Sequence, residues 1–248
     1  MIITPIKTKP ITIKDTDLLQ ILDDYILSLK ENSILVVTSK IVAICEGRVV
    51  SKDIDKDELI AQEADFFLPR SSNKYNVCLT IKNGILAASA GIDESNGDNH
   101  YVLLPKDPQT SANKIRDHLR KKFSLKNIGV IITDSITSPL KWGVRGIALA
   151  YTGFRPFKSY INQPDIFGRK MHYSKVFLPD NLATAACLVM GEGDERQPLA
   201  IIEDINFVEF VNQNPSQEEL DSIKIDPQDD LYAPLLSNVQ WQKGRNKN

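Results

Sequence analysis

Amphipathic helices and apolar strands alternate along this chain of 248 residues. Behind Asp17, which can cap a helix, apolar side chains recur at helical spacing. They are Leu18, Leu22, Tyr25, Ile26 and Leu29. A short amphipathic helix is predicted over residues 57–67, before Pro69. Another is predicted after Asp180, which we expect to cap it, and its end is expected near Gly191.

Asp107-Pro108 gives the strongest helix signal in the sequence. An N-cap aspartate followed by proline at the first helical position predicts a helix that runs to Phe123. Its apolar face carries Ile115, Leu119 and Phe123. Its other face is basic, and in a chain of nearly balanced charge such a face is more often solvated than bound to nucleic acid. That face carries Lys114, Arg116, Arg120, Lys121 and Lys122.

Four stretches of the chain predict the strands. Residues 33–50 predict a buried strand, a polar break at residues 38–40 and a second apolar piece. Asn83-Gly84 suits a type I′ turn between two runs rich in strand formers. Residues 127–135 predict a strand that ends at Thr133-Asp134-Ser135, and residues 198–204 predict another. Antiparallel hairpins beside alternating helices and strands predict a mixed α/β fold.

Composition excludes several classes of protein. Lys and Arg number 30 against 32 Asp and Glu, so no net field favours nucleic acid or an anionic membrane. No apolar run is long enough to span a bilayer. Three cysteines far apart form no disulfide framework, which predicts a cytoplasmic protein. With only three histidines, any metal should be a hard cation, Mg²⁺ or Mn²⁺, held by oxygen ligands.

Three acidic positions are candidates for chemistry. Asp134 follows an apolar run, where open α/β sheets commonly build sites, and it suits a turn cap equally well. Asp93 and Asn96 lie in "ASAGIDESNGDN", which fits neither a calcium loop nor a phosphate loop. Asp93 could offer a carboxylate to a metal and Asn96 an amide to a ligand, or the stretch could be only a solvated turn. Glu192 follows Gly191, which allows close approach of a ligand or simply ends a helix.

A basic and aromatic segment lies between Asp134 and His172. It suits binding of a phosphate or carboxylate beside a stacked ring, and it equally suits a loop-rich surface over buried aromatic side chains. Its cations are Lys141, Arg145, Arg155, Lys158 and Arg169.

Six stretches form a series along the chain: "VVTSKIVAICEGRVV", "SAGIDESN", "LLPKDPQTSANKIRDHL", "VIITDS", "PDIFGR" and "LVMGEGDERQPLAII". Together they resemble the coenzyme F-420-0:L-glutamate ligase family, the gamma-glutamyl ligases. The correspondence runs in order from about residue 5 to about residue 230. Each motif alone is weak, whereas six in the same order are specific.

The resemblance implies a two-domain α/β fold in an interleaved homodimer, with a nucleotide groove between subunits. A catalytic region would cover residues 1–212. The polar sequence after Asn212, with Pro215, Pro227 and Pro234, itself predicts an irregular tail over residues 213–248. The implied reaction joins L-glutamate to the terminal carboxylate of coenzyme F-420-0 and requires a metal and GTP, or ATP. The carboxylate would first become an acyl phosphate, from which the amine of glutamate would displace phosphate.

The resemblance also implies a metal site. Asp93 and Asp134 match the two metal-binding aspartates of the family. Ser135 stands where the family usually has a threonine whose oxygen also binds the metal. Glu192 matches a position with Gln or Glu near the metal. Asp93, Asp134 and Glu192 are therefore the implied catalytic residues.

The nucleotide side of the implied site draws on three segments. Ser39 and Lys40 match a Ser-Lys pair, and Asn96 matches an asparagine that contacts the nucleotide. Gly191 and Glu192 are the remaining residues implied to bind the nucleotide.

Two departures from the family pattern affect the expected substrates. The second Ser-Lys pair of the family's "SKxVSK" is replaced by Ala43-Ile44, which bears on the choice between GTP and ATP. Residues 136–141 are "ITSPLK", where deazaflavin ligases commonly have "FGRPWR". This variant resembles the branch proposed to glutamylate folates. A folate acceptor, a non-catalytic nucleotide-binding homologue and a phosphohydrolase are the alternatives.

Overall fold

The computed structural model describes residues 1–245. The helices are α1 (Leu18–Tyr25), α2 (Ser39–Cys45), α3 (Lys56–Glu63), α4 (Pro108–Phe123), α5 (Leu178–Met190), α6 (Gln217–Asp221) and α7 (Ala233–Leu236). The strands are β1 (Ile2–Ile6), β2 (Ser33–Thr38), β3 (Val49–Ser51), β4 (Phe66–Phe67), β5 (Leu79–Lys82), β6 (Ile85–Ala88), β7 (His100–Val102), β8 (Ile128–Thr137), β9 (Val144–Thr152), β10 (Phe157–Ser159), β11 (Lys175–Phe177), β12 (Leu199–Glu203) and β13 (Gln242–Lys243). Within residues 1–245, no helix has the length and apolar character needed to cross a membrane.

Five strands form the central sheet in the order β1-β12-β2-β8-β9. β2 and β8 pair in parallel, and the other neighbours are antiparallel. A four-stranded sheet has the order β13-β4-β5-β6, and β3–β7 and β10–β11 form two-stranded sheets. The predicted mixed α/β class with antiparallel hairpins is therefore confirmed.

The middle of the central strand β2, residues 34–37, is apolar because helices cover both faces of the sheet. Side chains alternate between faces along a strand. Leu35 and Val37 accordingly pack into the core with α1 and α4. Ile34 and Val36 pack into the core on the other face, with α5. The two cores fix the register of β2, since a shift of one residue would exchange all four side chains between faces.

Helix α4 has the predicted bounds. The Asp107 carboxylate accepts a hydrogen bond from the Thr110 N–H at 3.0 Å, and Pro108 is the first helical residue. Ile115 and Leu119 are buried in the core as expected. Arg116 is the exception on this helix, because it was predicted to be solvated and is 1% exposed.

The Arg116 guanidinium is buried because backbone carbonyls surround it. It donates to the Ile128 oxygen at 2.9 Å, the Val211 oxygen at 2.6 Å and the Asn212 oxygen at 3.2 Å. It also donates to Asn214 Oδ1 at 2.9 Å. Burial lowers the pKa of Arg116, and the nearby charge of Arg120 lowers it further. The side chain thus ties the segment after β12 to the central sheet.

The β5–β6 hairpin is confirmed. Its turn residues Asn83 and Gly84 have φ angles of 53° and 76°, as a type I′ turn requires. The prediction of one helix over residues 57–67 is wrong, since α3 ends at Glu63 and the chain becomes extended at Ala64. Phe66–Phe67 then pairs with β5 as β4. Pairing with β5 and β13 makes this segment a strand, and its aromatic side chains suit a pleated, half-buried surface.

Two other helix predictions also change. Asp180 does not cap α5, because Phe177 is the N-cap residue and Asp180 lies in the first turn. Its carboxylate instead accepts the Ala148 N–H of β9 at 3.0 Å. Helix α1 ends at Tyr25, so the apolar Ile26 and Leu29 reach the same core from an extended segment.

Residues beyond Asn212 carry regular structure. Helices α6 and α7 lie in this segment, and β13 returns to pair with β4. The Gly244 N–H also donates to the Asp65 carbonyl at 2.8 Å. The C-terminal chain therefore contacts both the central sheet, through Arg116, and the four-stranded sheet.

Candidate active site

A cavity of about 710 Å³ lies where the ends of β2 and β8 meet the loops that follow β6 and α5. Eight residues were predicted for the site from four separate segments of sequence. All eight line this cavity: Ser39, Lys40, Asp93, Asn96, Asp134, Ser135, Gly191 and Glu192.

The predicted polar break after β2 is the first turn of α2. Parallel pairing of β2 with β8 ends at Thr38 and Thr133, and α2 begins at the next residue, Ser39. Parallel strands bring their carboxyl ends to the same edge, so Ser39 lies beside Asp134. Ser39 Oγ donates to Asp134 Oδ1 at 3.1 Å, and Ser39 is only 4% exposed.

Asp134 does not end its strand, contrary to the prediction. β8 continues to Thr137, paired with β9, and the register between these two strands shifts between Ile132 and Thr133. Such bulges are frequent beside active sites, where they redirect side chains. Burial raises the pKa of Asp134 to about 6, although hydrogen bonds from Ser39 and the Ser135 N–H oppose the rise. The negative charge of Asp93 adds to it.

The loop after β6 fixes Asp93 through its own backbone. The Asp93 N–H and C=O both hydrogen-bond to Val102 at 2.9 Å. Asp93 Oδ1 accepts from the Ser95 N–H at 2.7 Å and from Ser95 Oγ at 2.8 Å. Burial raises the pKa of Asp93, but the hydrogen bond and charge of Lys40 outweigh it and hold the pKa below its usual range.

Lys40 reaches from α2 to this loop. Its ammonium lies 2.5 Å from Asp93 Oδ2 and donates to Ser95 Oγ at 3.0 Å and to the Ser95 carbonyl at 3.1 Å. Ser95 was not among the predicted site residues. It holds both members of the Lys40–Asp93 pair.

The loop after α5 brings Glu192 to the cavity. Ser135 Oγ donates to Glu192 Oε1 at 2.6 Å. Gly191 has a φ of 82° and a ψ of 170°, a conformation available essentially to glycine alone. A Cβ at Gly191 would also lie 2.3 Å from the carboxylate carbon of Glu195. Asn96 Nδ2 donates to the Gly193 carbonyl at 3.3 Å, which joins this loop to the loop after β6.

The family resemblance of the six motifs is supported by a match between this chain and a protein-family model. The model described as "F420-0:Gamma-glutamyl ligase" matches residues 5–204. The chain belongs to this family. Membership confirms the expected enzyme class, a ligase that forms an amide bond.

Curated relatives of the gamma-glutamyl ligase family match most of the chain. Three of these relatives, all named "Coenzyme F420:L-glutamate ligase", come from methanogens of different genera. The relative from Methanocaldococcus jannaschii is 33% identical over 72% of this chain and 78% of its own length. That from Methanopyrus kandleri is 33% identical over 70% and 75%. That from Methanosarcina acetivorans is 32% identical over 87% and 92%.

The donor atoms of the cavity suit a hard divalent cation. The cavity presents carboxylate and hydroxyl oxygens from Asp93, Asp134, Ser135 and Glu192. Among residues 1–245, no three His, Cys, Asp or Glu side chains are grouped closely enough to hold a metal ion by themselves. The Lys40 ammonium is a cation in contact with one of these carboxylates, that of Asp93. The oxygen chemistry of these side chains fits a hard metal ion, and an ion bound at Asp93 would compete with this ammonium.

The structure adds one wall that sequence reasoning missed. Residues 8–13, which follow β1, also line the cavity. The Thr8 N–H donates to the Arg196 carbonyl at 2.8 Å and so holds this segment beside the loop after α5. No acidic or glycine-rich motif marks residues 8–13. Their role depends on the pairing of β1 with β12, which sequence spacing does not reveal.

The departure from the second Ser-Lys pair of the family gives the cavity an apolar side. Ala43 is fully buried, and Ile44 is 4% exposed and lines the cavity. Both pack in one cluster with Val102, beside Ile11 and Val49. This side of the cavity therefore offers a surface for an apolar or aromatic part of a ligand.

The basic and aromatic segment lies elsewhere. In the part of the chain that the structure describes, none of its five cations is among the residues that line the cavity. Three of them have acidic neighbours: Arg145 pairs with Asp180, Arg155 with Glu219, and Arg169 with Asp165. These contacts favour the surface alternative over a phosphate-binding segment.

Proposed function

We propose that this chain joins L-glutamate to the terminal carboxylate of coenzyme F-420-0, with GTP or ATP as the phosphoryl donor and Mg²⁺ or Mn²⁺ as the metal. The acceptor carboxylate attacks the terminal phosphoryl group, the nucleoside diphosphate leaves, and the carboxylate becomes an acyl phosphate. The amine of glutamate then attacks the acyl carbon, and phosphate leaves as the amide forms.

One observation carries this proposal. Eight residues singled out by the family pattern come from segments far apart in sequence, yet all line one cavity. Ser39 and Asp134, for example, are separated by 95 positions and share a hydrogen bond. A purely structural role does not require polar side chains to gather around open space, whereas a phosphoryl-transfer site does.

The protein's own groups have distinct roles in this proposal. Lys40 and the Ser39 hydroxyl bind nucleotide phosphate, and Asn96 orients the nucleotide. The apolar side at Ile44 packs against its base. Because the two substrates are bound side by side, the amine is already oriented when the acyl phosphate forms, which lowers the entropic part of the barrier.

Asp93, Asp134, Ser135 and Glu192 would hold the divalent cation. When bound, the metal neutralises negative charge on the transferring phosphoryl group. The Ser39–Asp134 and Ser135–Glu192 hydrogen bonds orient two of these carboxylates in its absence.

We also propose that the two-domain homodimer implied by the family is the working form. The surface of residues 1–245 exposes large apolar side chains beyond the cavity, which supports burial against a second copy. They include Leu140, Trp142, Ile166, Phe167 and Tyr173. Sedimentation equilibrium should give twice the mass of the chain, and a monomer at all concentrations would contradict this part.

The function is tested by incubation with GTP or ATP, Mn²⁺ or Mg²⁺, L-glutamate and coenzyme F-420-0. Mass spectrometry should show an acceptor heavier by one glutamate residue. A parallel reaction with a folate tests the second acceptor, which the sequence of residues 136–141 favours. Product from folate alone would move the acceptor from the deazaflavin to the folate.

Two further outcomes would indicate a different activity for this site. Nucleotide binding without any glutamylated product would indicate a non-catalytic nucleotide-binding homologue. Release of phosphate that is independent of glutamate would indicate a phosphohydrolase.

A further inference from the structure

The Lys40 ammonium uses its full hydrogen-bonding capacity within the protein. An ammonium has three N–H donors. In Lys40 they face three acceptors of one loop, Asp93 Oδ2 at 2.5 Å, Ser95 Oγ at 3.0 Å and the Ser95 carbonyl at 3.1 Å. No donor remains for a phosphate. Lys40 must therefore leave at least one of these acceptors before it can bind a nucleotide.

Both carboxylate oxygens of Asp93 also have partners within the protein. Its Oδ1 accepts two hydrogen bonds from Ser95, and its Oδ2 faces Lys40. A divalent cation that binds Asp93 would compete with the ammonium, since two like charges at hydrogen-bonding distance from one oxygen repel strongly. The pair is partly shielded from water, because the Lys40 side chain is 25% exposed and that of Asp93 is 40% exposed.

We propose that Lys40 is an exchangeable counter-cation, which holds Asp93 until a divalent ion replaces it and then carries its freed charge to the nucleotide phosphate. This inference rests on the proposed metal and nucleotide dependence. It makes Lys40 a positioning residue that couples the two ligands, because the ion that displaces it also releases the group that binds phosphate. By linkage, each ligand then strengthens binding of the other.

Lys56 provides a matched control. It makes an ion pair with Glu94, the residue next to Asp93. Lys56→Gln therefore removes one positive charge that is paired with the same loop, as Lys40→Gln does. Glu94 is not among the described residues that line the cavity. General attraction of cations to an acidic loop would therefore change alike in both variants, whereas competition at Asp93 would change only in Lys40→Gln.

The test measures binding of Mn²⁺ alone, by electron paramagnetic resonance of the free ion, without nucleotide or turnover. Lys40→Gln should bind Mn²⁺ about fivefold more tightly than the unmodified protein, as expected for loss of one partly exposed competing ion pair. Lys56→Gln should stay within about twofold of it. Lys40→Arg, which keeps the charge, should not gain affinity. Circular dichroism checks that each variant is folded.

A second experiment measures the affinity for a nucleotide with and without Mn²⁺. Mn²⁺ should increase the affinity for a non-hydrolysable nucleotide analogue less in Lys40→Gln than in the unmodified protein. Equal Mn²⁺ affinities in the unmodified protein and Lys40→Gln would overturn the exchange and leave the proposed function standing. An equal gain in Lys56→Gln would also overturn it. No Mn²⁺ binding by any form would overturn both the exchange and the proposed metal dependence.

Discussion

Ser39 Oγ donates a hydrogen bond of 3.1 Å to Asp134 Oδ1 across 95 positions of sequence. This contact joins the first residue of α2 to β8, just past the point where the parallel pairing of β2 and β8 ends, and orients a carboxylate whose pKa burial raises to about 6. We predict that Asp134→Asn lowers turnover by about 10³-fold, because the amide keeps the shape of the side chain and removes its charge. Steady-state assays of product formation measure this change.

Two controls accompany this experiment, one for loss of folding and one for removal of a carboxylate outside the cavity. Asn can still accept the Ser39 hydrogen bond, so the unfolding midpoint should change little. Glu94→Gln removes a carboxylate outside the cavity and should keep near-normal turnover. Full activity in Asp134→Asn would remove Asp134 from the site.

Gly191→Ala should impair turnover through the backbone. The φ of 82° and ψ of 170° at this position would strain alanine by about 1–3 kcal/mol, and its Cβ would approach the Glu195 carboxylate. The loop should shift and move Glu192 away from Ser135. We expect a loss of at least about tenfold in kcat/KM. Gly168→Ala is the control, because that glycine also has a positive φ but lies on the β10–β11 loop with open space around it.

Arg116→Lys should destabilise the fold. Lysine cannot reproduce the fork of a guanidinium that serves carbonyls of Ile128 and Val211 together. The free energy of unfolding should fall by about 2–3 kcal/mol. Chemical denaturation measures it, and Lys114→Gln, on the exposed face of the same helix, should change it by less than about 0.5 kcal/mol. An equal, small effect in both variants would contradict the buried role of Arg116.

Glu63 should contribute stability that depends on pH. Burial raises the pKa of this carboxyl, but hydrogen bonds from Arg48 and Lys82 outweigh burial and leave the pKa below its usual range. A carboxyl with a lowered folded pKa stabilises the protein above its unfolded pKa, about 4.3, and this contribution is lost as the pH falls through the folded pKa. Glu63→Gln should therefore reduce the unfolding free energy at pH 7 by about 2 kcal/mol.

The difference between Glu63→Gln and the unmodified protein should shrink as the pH is lowered from 7 toward 3 in urea-unfolding experiments. Glu58→Gln on the same helix removes an exposed pair with Arg245 and serves as the control. A difference that is constant across this pH range would show that the ionised carboxylate is not responsible.

Local chemistry made part of the fold predictable. Helix α4 follows from Asp107-Pro108, and the β5–β6 hairpin follows from Asn83-Gly84, because each signal acts within a few residues. Phe66–Phe67 was missed since its strand exists only through pairing with β5 and β13. Arg116 was misplaced for a similar reason, because two of the carbonyls that accept its hydrogen bonds, those of Val211 and Asn212, come from residues nearly one hundred positions away.

The candidate site was predictable as a set of residues, through the series of motifs, and not as a geometry. Spacing gave no indication that Lys40 would contact Asp93, or that Ser95 would hold them both. Residues 8–13 carry no distinctive chemistry and enter the cavity only because β1 joins the central sheet. The roles of the eight predicted residues in binding and catalysis stay predictions.

An isotope-transfer experiment tests most directly whether this protein activates a carboxylate by phosphorylation and captures it with glutamate. The terminal carboxylate of coenzyme F-420-0 is labelled with ¹⁸O at both oxygens, and the reaction is run with nucleotide, Mn²⁺ and L-glutamate. We predict a product heavier by one glutamate residue that keeps one ¹⁸O in its new amide, with the other ¹⁸O in the released phosphate. Unlabelled phosphate, or phosphate release without the glutamylated product, would contradict the proposed acyl-phosphate mechanism.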